Sequence, residues 1–347
     1  MKKYILLLLA LSLIMGLVAS TVFSYDLGNP GVDSRNEYSR VTLDGAQTIG
    51  TPGDPALPWF GVKLLIPLGT SATLIKVERS NPKTIDLVKA IAPIQQQYPF
   101  SYSGRITPDL PNPFIYSSDE GFPVVTDNGL RTEFLAGHSL AFTAVCPFEY
   151  QALRSELVYL TKLTDTIECS PSEAAAAARR LLRQDGFITR QLLSSVDNGD
   201  AVPRYEERTT GYEYIIIHDA AKTAQWQPLK DIYTEKGYQV LMKSVQDITA
   251  SVTGADTQEK IRNYLISMFP GNSLRYVLLA GDTDVIPHRG FTVNMGQGGE
   301  SDSDIPADMY YNCLDGNWNT DNDANWGEMY ESDFAPEFAI GRICYNN

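Results

Sequence analysis

The strongest constraint on the fold is an alternation of short apolar runs with helical segments that begins at Tyr212. The runs are YEYIIIH, YQVLMK and RYVLLAGD, which end at His218, Lys243 and Asp282. Runs of this length are typical of strands buried in a parallel sheet. The order strand, helix, strand, helix, strand indicates right-handed crossovers. We therefore predict an α/β domain with a mostly parallel sheet.

The segments between these runs each predict one amphipathic helix. The apolar face of the first helix is formed by Trp226, Leu229, Ile232 and Tyr233. Gly237 is expected to end it. The apolar face of the second helix is formed by Ile261, Tyr264, Leu265, Met268 and Phe269. Asp256 and Glu259 give the second helix a start that is similar to a capping box. A later run, PEFAIGRI, ends at Ile343 and predicts one more strand.

The chain before residue 170 has a different pattern, in which strand-length apolar runs alternate with clusters of Pro and Gly. The runs are VKLLIPL, TLIKVE, SLAFTAVCPF and ELVYLTKLT. Clusters such as GTPGDPALPW, from Gly50 to Trp59, punctuate strands and forbid long helices. We predict a β-rich, sandwich-like domain over residues 25–169.

Residues 170–210 are interpreted as a linker between the two predicted domains. Its first part, SPSEAAAAARRLLRQ, favours a helix, and its later part is polar up to Gly211. Five arginines in it would be accessible to a trypsin-like protease: Arg179, Arg180, Arg183, Arg204 and Arg208. An ordinary interdomain connection and a maturation site both fit this composition.

Residues 1–24 have the features of a secretory signal peptide. Lys2 and Lys3 precede an apolar run from Tyr4 to Val18, and small residues follow it. A single membrane anchor is the alternative interpretation. No later stretch is apolar enough to span a bilayer, so we predict an exported protein, secreted or at the cell surface, with no stable membrane span after removal of the signal.

The balance of charge limits the possible partners. The chain has 42 Asp and Glu residues against 28 Lys and Arg residues, and a formal charge of -14. Phosphate contacts require a surplus of basic residues on some face. We therefore expect no nucleic-acid partner. An acidic surface favours cations or basic substrates.

Acidic residues are concentrated from Glu300 to the end of the sequence, where eleven acids accompany a single basic residue, Arg342. Oxygen ligands that suit Ca²⁺ recur there at short spacing. The candidate ligands are Asp315, Asn317, Asp321, Asp323 and Glu328. The stretch is not a clean EF-hand loop, because Asn occupies both its first position and position 322, where Gly is needed. A solvated acidic loop is the alternative.

The residues alone indicate no catalytic constellation. The three histidines, His138, His218 and His288, stand in no H-E-x-x-H arrangement. The serine nucleophile elbow G-x-S-x-G and a dinucleotide fingerprint are also unsupported. Gly281 and Asp282 follow a strand at a place where α/β sheets bind ligands, but a simple turn explains them equally well.

Four cysteines are too few for a disulfide scaffold and allow three pairings. We expect Cys146 to pair with Cys169, because both fall in one segment. Cys313 has no basic neighbour that would lower its pKa, and Cys344 has only Arg342.

Two phrases are the most specific pieces of a resemblance that extends from Gly211 to Ile343. They are YVLLAGDTDVIP, which starts at Tyr276, and DFAPEFAIGRI, which starts at Asp333. Together with the order of the other segments, they resemble the gingipain-type cysteine peptidase family. The phrases PGDPALPWFGVKLLIP and PFEYQALRSELVYLTKL look like parts of the propeptide of such enzymes.

The resemblance implies a secreted cysteine endopeptidase zymogen that acts on protein or peptide substrates. Its β-rich prosegment would cover a caspase-like peptidase domain until cleavage in residues 170–210. In that family a Cys nucleophile and a His base act through a thioester, and both follow the segment that corresponds to AIGRI. The resemblance therefore assigns no catalytic residue to this chain, and we expect the dyad C-terminal to Asn347. The resemblance also implies that the chain binds calcium.

Alternative interpretations remain. The sequence could be a C-terminally truncated peptidase or a short inactive relative, and an unfinished parallel sheet favours truncation. A second hypothesis is a non-catalytic secreted binding protein with a calcium-stabilised acidic loop. A third is a hydrolase or nucleotide-binding enzyme of another α/β family, for which only the strand and helix alternation speaks.

Overall fold

A computed structural model describes residues 19–34, 37–98, 102–294, 301–328, 331 and 333–345. The chain divides into two compact units. The first contains the described residues up to Thr132, together with Ser139–Ser172 and Ser195–Ala201. The second contains Glu133–His138, Glu173–Ser194 and the described residues from Val202 onward.

The first unit consists mainly of β-strands. They are β1 (Ala19–Asp26), β2 (Gly31–Asp33), β3 (Arg40–Thr42), β4 (Ala46–Thr48), β5 (Pro58–Leu65), β6 (Thr70–Asp86), β7 (Arg131–Leu135), β8 (His138–Val145), β9 (Phe148–Gln151) and β10 (Glu156–Pro171). The short helix α1 (Pro113–Tyr116) lies in the connection between β6 and β7. The tip of the β7–β8 hairpin, residues 133–138, is grouped with the second unit.

Two four-stranded sheets pack face to face in the first unit. One has the order β1-β10-β6, with β9 also paired to β10, and the other has the order β4-β5-β8-β7. Tyr25 and Leu163 of the first sheet share one core cluster with Val62 and Val145 of the second. This is the sandwich that the sequence predicted, because alternating strand residues from both sheets meet in one apolar layer.

β10 forms the centre of its sheet, and it is longer than the run that predicted it. It has 16 residues, and β6 beside it has 17. Every second residue from Leu163 to Cys169 points inward and is buried. One member of this inward series is an acid, Asp165, whose side chain is fully buried.

The second unit alternates helices and strands. Its elements are α2 (Glu173–Ala178), α3 (Gly186–Ser195), β11 (Tyr214–His218), α4 (Thr223–Glu235), β12 (Val240–Ser244), α5 (Val245–Ser251), α6 (Thr257–Met268), β13 (Tyr276–Ala280), β14 (Arg289–Asn294), β15 (Ser301–Ala307) and β16 (Ala339–Ile343). Ser195, the last residue of α3, is grouped with the first unit.

A four-stranded sheet is the centre of the second unit. Its order is β12-β11-β13-β16, and every neighbouring pair is parallel. All five residues of β11 are buried, as the apolar run predicted. Trp226 and Leu229 of α4 pack on one face of the sheet against Ile216 and Leu278. The predicted parallel α/β domain is therefore present, and β14 and β15 add an antiparallel hairpin after β13.

Both predicted helices form, and their ends follow the predicted signals. Asp256 caps α6 by accepting a hydrogen bond from Glu259 N at 2.8 Å. Gly237, at a φ of +97°, ends the turn after α4 in the left-handed region that glycine favours. Ile232 was predicted on the buried face of α4, but its side chain is 49% exposed.

The structure describes only the last part of the predicted signal peptide. The predicted signal peptide falls largely on residues 1–18, which lie outside the described residues. Its last part, residues 19–24, belongs to β1, which pairs along its whole length with β10. Among the described residues, no helix is long and apolar enough to cross a membrane.

The expected Cys146–Cys169 disulfide is wrong in this structure. Both thiols are free and buried, and they lie in two different core clusters. The Cys146 thiol lies near the carbonyl oxygens of Pro58 and Phe148. The position of both cysteines in one segment of the sequence was a poor guide, because Cys146 packs in one core cluster of the sandwich and Cys169 packs in the other.

The accessibility expected for Arg183 is also wrong. Its side chain is only 5% exposed and pairs with Asp185 at 2.6 Å. The guanidinium group also donates to Leu274 O at 2.5 Å and lies over the ring of Phe269. The other four arginines that were expected to be accessible, Arg179, Arg180, Arg204 and Arg208, are exposed, as predicted.

Candidate functional site

The carboxyl ends of β13 and β16 are joined by one side chain, Arg342. Its Nη1 donates to Gly281 O at 3.0 Å and to Ile286 O at 2.7 Å. Its Nε and Nη2 donate to the two carboxylate oxygens of Asp308, at 2.8 and 2.6 Å. Fork-to-carboxylate geometry of this kind fixes both partners. Arg342 therefore holds the end of the sheet, where α/β proteins bind ligands, in a set shape.

Asp282 has a structural contact at the same edge. Its Oδ1 accepts from Thr283 N at 2.8 Å, and its carbonyl oxygen accepts from Val285 N and Ile286 N. These bonds make a turn after β13. The turn that the sequence offered as one explanation of Asp282 is present.

A cavity of about 390 Å³ lies beside this turn. Among the residues that line it are Gln258, Thr283, His288, Arg289, Asp304 and Trp326. His288 Nε2 lies 3.0 Å from Asp304 Oδ1. Gln258 Nε2 donates to His288 O at 3.2 Å. The cavity thus has a polar wall on which an acid orients an imidazole.

The five predicted calcium ligands do not form a single site. Among the described residues, one group of three acids has its ligand oxygens within 4.8 Å of one another, and it consists of Asp321, Glu328 and Glu331. Two predicted ligands are therefore brought together, with Glu331 as a third that the sequence analysis did not select. Asn317 and Asp323 instead accept backbone hydrogen bonds from Asn319 and Asn325.

Glu331 anchors this group. Its Oε1 accepts from Thr320 N at 2.7 Å and from Thr320 Oγ1 at 2.6 Å. Its Oε2 is buried and has no hydrogen-bond donor among the described residues. Desolvation, and then the like charges of Asp323 and Asp321, raise the pKa of Glu328. A hard cation would satisfy the orphaned oxygen and remove the repulsion, so these residues fit Ca²⁺.

Asp315 lies in a second, buried group of acids with Asp333 and Glu337. Both oxygens of Asp315 and one of Asp333 are buried, and the part of the chain that the structure describes offers them no hydrogen-bond donor. Glu337 is fully buried and accepts from Ala136 N at 3.2 Å and from Leu314 N at 2.6 Å. The group combines residues that lie far apart in the sequence.

The guanidinium of Arg262 supplies positive charge near this second group. Its Nη2 donates to the carbonyl oxygens of Cys313 and Gly316, at 3.0 and 2.7 Å. Burial, and then the charges of Glu337 and Asp333, raise the pKa of Asp315 well above its usual range. Burial, with the charge of Asp333, raises the pKa of Glu337 to about 8. A proton or a cation must neutralise this group when the protein is folded.

The buried thiols are poor nucleophiles in this environment. Burial raises the pKa of Cys146 to about 12. Burial, followed by the charges of Asp333 and Glu337, raises the pKa of Cys313 above its usual range. A thiolate is the reactive form of cysteine. Burial likewise lowers the pKa of His138, whose ring approaches Arg183 O.

The first unit is a β-sandwich and the second is a parallel α/β unit. Residues 207–347 match the model of a family described as Peptidase family C25. The resemblance to gingipain-type cysteine peptidases that the sequence indicated is therefore confirmed for this part of the chain. A search of curated proteins returned no match.

Solved structures with detectable similarity include three gingipains. The complex of Porphyromonas gingivalis RgpB pro- and mature domains is 17% identical, with coverage of 46% of this chain and 84% of that chain and a TM-score of 0.36. A structure that gives insight into the zymogenic latency of gingipain K, from the same organism, is 15% identical, with coverage of 44% of this chain and 88% of that chain. Its TM-score is also 0.36. Gingipain R is 24% identical over 41% of this chain and 26% of its own, with a TM-score of 0.28.

Proposed function

We propose that this chain is part of a secreted cysteine endopeptidase zymogen. Residues 25–169 form the prosegment, residues 170–210 contain the processing site, and the peptidase domain starts at residue 211. The observation that carries the proposal is the match of residues 207–347 to a cysteine peptidase family. The parallel sheet of the same residues, with a cavity at its carboxyl edge, supports it.

Peptide hydrolysis in this proposal uses a Cys and a His that lie C-terminal to Asn347. The thiolate attacks the peptide carbonyl carbon, the amine leaves with a proton from the imidazole, and water then hydrolyses the thioester. The raised pKa values of Cys146 and Cys313 support the assignment of the nucleophile elsewhere. Residues 1–347 by themselves are expected to cleave no peptide, and they supply the scaffold at the carboxyl edge of the parallel sheet.

Processing is proposed within residues 203–211. This stretch has neither helix nor strand, and the side chains of Arg204 and Arg208 are exposed. Arg179 and Arg180 are exposed too, but they lie in a short helical turn after α2. A protease binds its substrate in an extended conformation, which favours the later pair.

Calcium is proposed to bind at Asp321, Glu328 and Glu331. The orphaned Oε2 of Glu331 and the short separation of the three ligand oxygens support this assignment. When bound, the ion would stabilise the acidic loop and would take no part in the chemistry of the thiol. Asp315 belongs to a separate buried group, so its role is proposed as structural.

The proposal is tested by reading the gene past the codon for Asn347 and expressing the whole frame for secretion. We expect proteolysis of a labelled casein that iodoacetamide abolishes, and a mature fragment that starts within residues 203–211. The double variant Arg204→Gln, Arg208→Gln should secrete normally and remain unprocessed. Proteolysis that resists iodoacetamide would overturn the cysteine mechanism. A frame that stops at Asn347 would instead favour the non-catalytic binding protein.

A further inference from the structure

Asp165 occupies a position where an acid is costly. It lies on β10 between Leu163 and Ile167, two members of the sandwich core. Its side chain is fully buried, and neither carboxylate oxygen has a hydrogen-bond partner among the described residues. An ionised carboxylate in such surroundings loses its hydration without replacement. The fold therefore accommodates Asp165 best in its protonated form.

Tyr25 extends from the neighbouring strand toward a second acid. In the antiparallel pair it stands opposite Leu163, so it shares the inward face with Asp165. Its hydroxyl donates to Asp197 Oδ2 at 2.8 Å. Burial, and then the charge of Asp197, raise the pKa of Asp165 to about 6. The two carboxylates thus repel each other when both are ionised.

Asp197 belongs to a short segment, Ser195–Ala201, that is fastened to β5; we call this segment the clip. Asp197 Oδ2 accepts from Lys63 N at 2.8 Å, and Asp197 N donates to Lys63 O at 2.7 Å. Asn198 Oδ1 accepts from Leu65 N at 2.8 Å, and its Nδ2 donates to Leu65 O at 2.9 Å. These four hydrogen bonds join the clip to the backbone of β5, much as hydrogen bonds join neighbouring strands of a sheet.

The other ionisable groups on the elements packed around Asp165 do not neutralise it. The Lys63 side chain on β5 is exposed, and only its backbone takes part in the clip. Arg79 on β6 stands opposite Leu163, and its charge acts on the Cys146 thiol. Tyr25 on β1 is bound to Asp197, and burial raises its pKa above its usual range.

We propose that Asp165 is a proton-controlled latch for the clip. With Asp165 protonated, the clip stays on β5; with Asp165 ionised, repulsion of Asp197 and the demand for water at the buried carboxylate loosen it. The latch belongs to the first unit, and it stands whether or not the chain is part of a peptidase.

The sign follows from proton binding. The closed clip holds the pKa of Asp165 above the ordinary value of 3.8, so closing is favoured at low pH and this preference is lost as pH rises through about 6. If opening restores the ordinary pKa, closing is favoured about tenfold more at pH 5 than at pH 7.5.

Hydrogen exchange of the full chain at pH 5 and pH 7.5 tests the latch, with rates corrected for intrinsic exchange. We expect the amides of Lys63, Leu65 and Asp197 to be about tenfold better protected at pH 5. Asp165→Asn should keep the clip closed at both pH values. Asp26→Asn, which removes an exposed acid from the end of β1, is the matched control and should behave as wild type.

Asp197→Ala should leave these amides weakly protected at both pH values, which verifies that they report on the clip. Equal protection of the wild-type amides at the two pH values would overturn the latch, whether or not Asp165→Asn folds. An Asp165→Asn variant that keeps the wild-type pH response would overturn the role of Asp165 itself.

Discussion

Arg289 and Asp256 form a two-point ion pair in the second unit. Arg289 Nη1 lies 3.0 Å from Asp256 Oδ2, and Nη2 lies 2.9 Å from Oδ1. The guanidinium also lies over the ring of Trp326, at 4.0 Å from its centroid. Asp256 is at the same time the N-cap of α6. One carboxylate thus begins a helix and fixes the first residue of β14, at the wall of the cavity.

Asp256→Ala should destabilise the protein by about 3 kcal/mol. About 1 kcal/mol comes from the lost helix cap, and about 2 kcal/mol comes from leaving the mostly buried Arg289 without its charged partner. Urea unfolding followed by circular dichroism measures the change. Asp256→Asn is the control, because Asn also caps helices but lacks the charge, and it should lose about 2 kcal/mol. A loss close to zero for Asp256→Asn would show that the ion pair adds nothing to the cap.

Asp256 and Asp165 should affect the pH dependence of stability in opposite directions. Burial opposes ionisation of Asp256, but the hydrogen bonds from Arg289 and Glu259 N outweigh it and hold its pKa below the usual range. Its contribution is present above about pH 4 and is lost as pH falls through the folded pKa. Asp165, with a pKa of about 6, opposes folding above that pH.

Replacement of Asp165 should therefore stabilise the protein at neutral pH. The difference between about 6 and 3.8 corresponds to a gain of up to about 3 kcal/mol for Asp165→Asn at pH 7.5. The gain should shrink as pH falls below about 6, where the folded form takes up a proton, and should vanish below 3.8, where the unfolded form is protonated as well. Thermal unfolding at several pH values measures it. An Asn variant that is less stable than wild type at pH 7.5 would contradict this expectation.

Gly137 should tolerate no side chain. Its φ is +78°, and a Cβ there would meet Leu182 Cα at 2.6 Å and Leu182 N at 2.7 Å. Gly129 has nearly the same φ, +76°, and open space around it. Gly129→Ala should cost about 1 kcal/mol from the backbone conformation alone, and Gly137→Ala several times more. Comparison of the two variants by urea unfolding separates the contact from the conformation.

The fold was largely predictable, because buried strands and amphipathic helices leave periodic patterns. β11, β13 and α6 follow the runs and faces that predicted them. The β14–β15 hairpin was not predictable in this way, since β15 has the sequence SDSDIPA and is exposed along most of its length. Composition alone also misjudged Arg183, because burial of an arginine depends on the partner that tertiary structure supplies.

The candidate site was predictable only as a region. An acid-rich stretch predicts cation affinity, but the separation of the ligand oxygens depends on the backbone conformation. Glu331 lies near Asp321 although the two stand ten positions apart in the sequence, and Asp315 belongs to the buried group with Glu337. A regular spacing of oxygens along the sequence therefore did not identify the set that meets in space.

Calcium should stabilise the protein through Glu331. At a free Ca²⁺ concentration 100 times the dissociation constant, the expected gain is about 2.7 kcal/mol, seen as a higher melting temperature. Glu331→Gln should remove most of this gain, because it weakens the ligand whose second oxygen has no donor. Asp323→Asn, outside the three-acid group, is the control and should keep it. The assignment fails if Glu331→Gln keeps the full calcium response.

Limited trypsin digestion should reveal which arginines the fold exposes. Within residues 170–210, the first cuts are expected after Arg204 and Arg208, since both side chains are exposed in a stretch without helix or strand. Cleavage after Arg183 should require unfolding of the protein and should therefore be slow, because that side chain is buried against Asp185 and Phe269. N-terminal sequencing of the early fragments should therefore return Tyr205 or Thr209.

The matched control is the double variant Arg204→Gln, Arg208→Gln, in which the early cuts should disappear while the melting temperature stays unchanged. Asp185→Asn should have the opposite effect, because it removes the charge that pairs with the buried guanidinium and should open the site after Arg183. An early fragment that starts at Gln184 in the wild-type protein would show that Arg183 is accessible. That result would support the sequence-based prediction that residues 170–210 form an exposed linker.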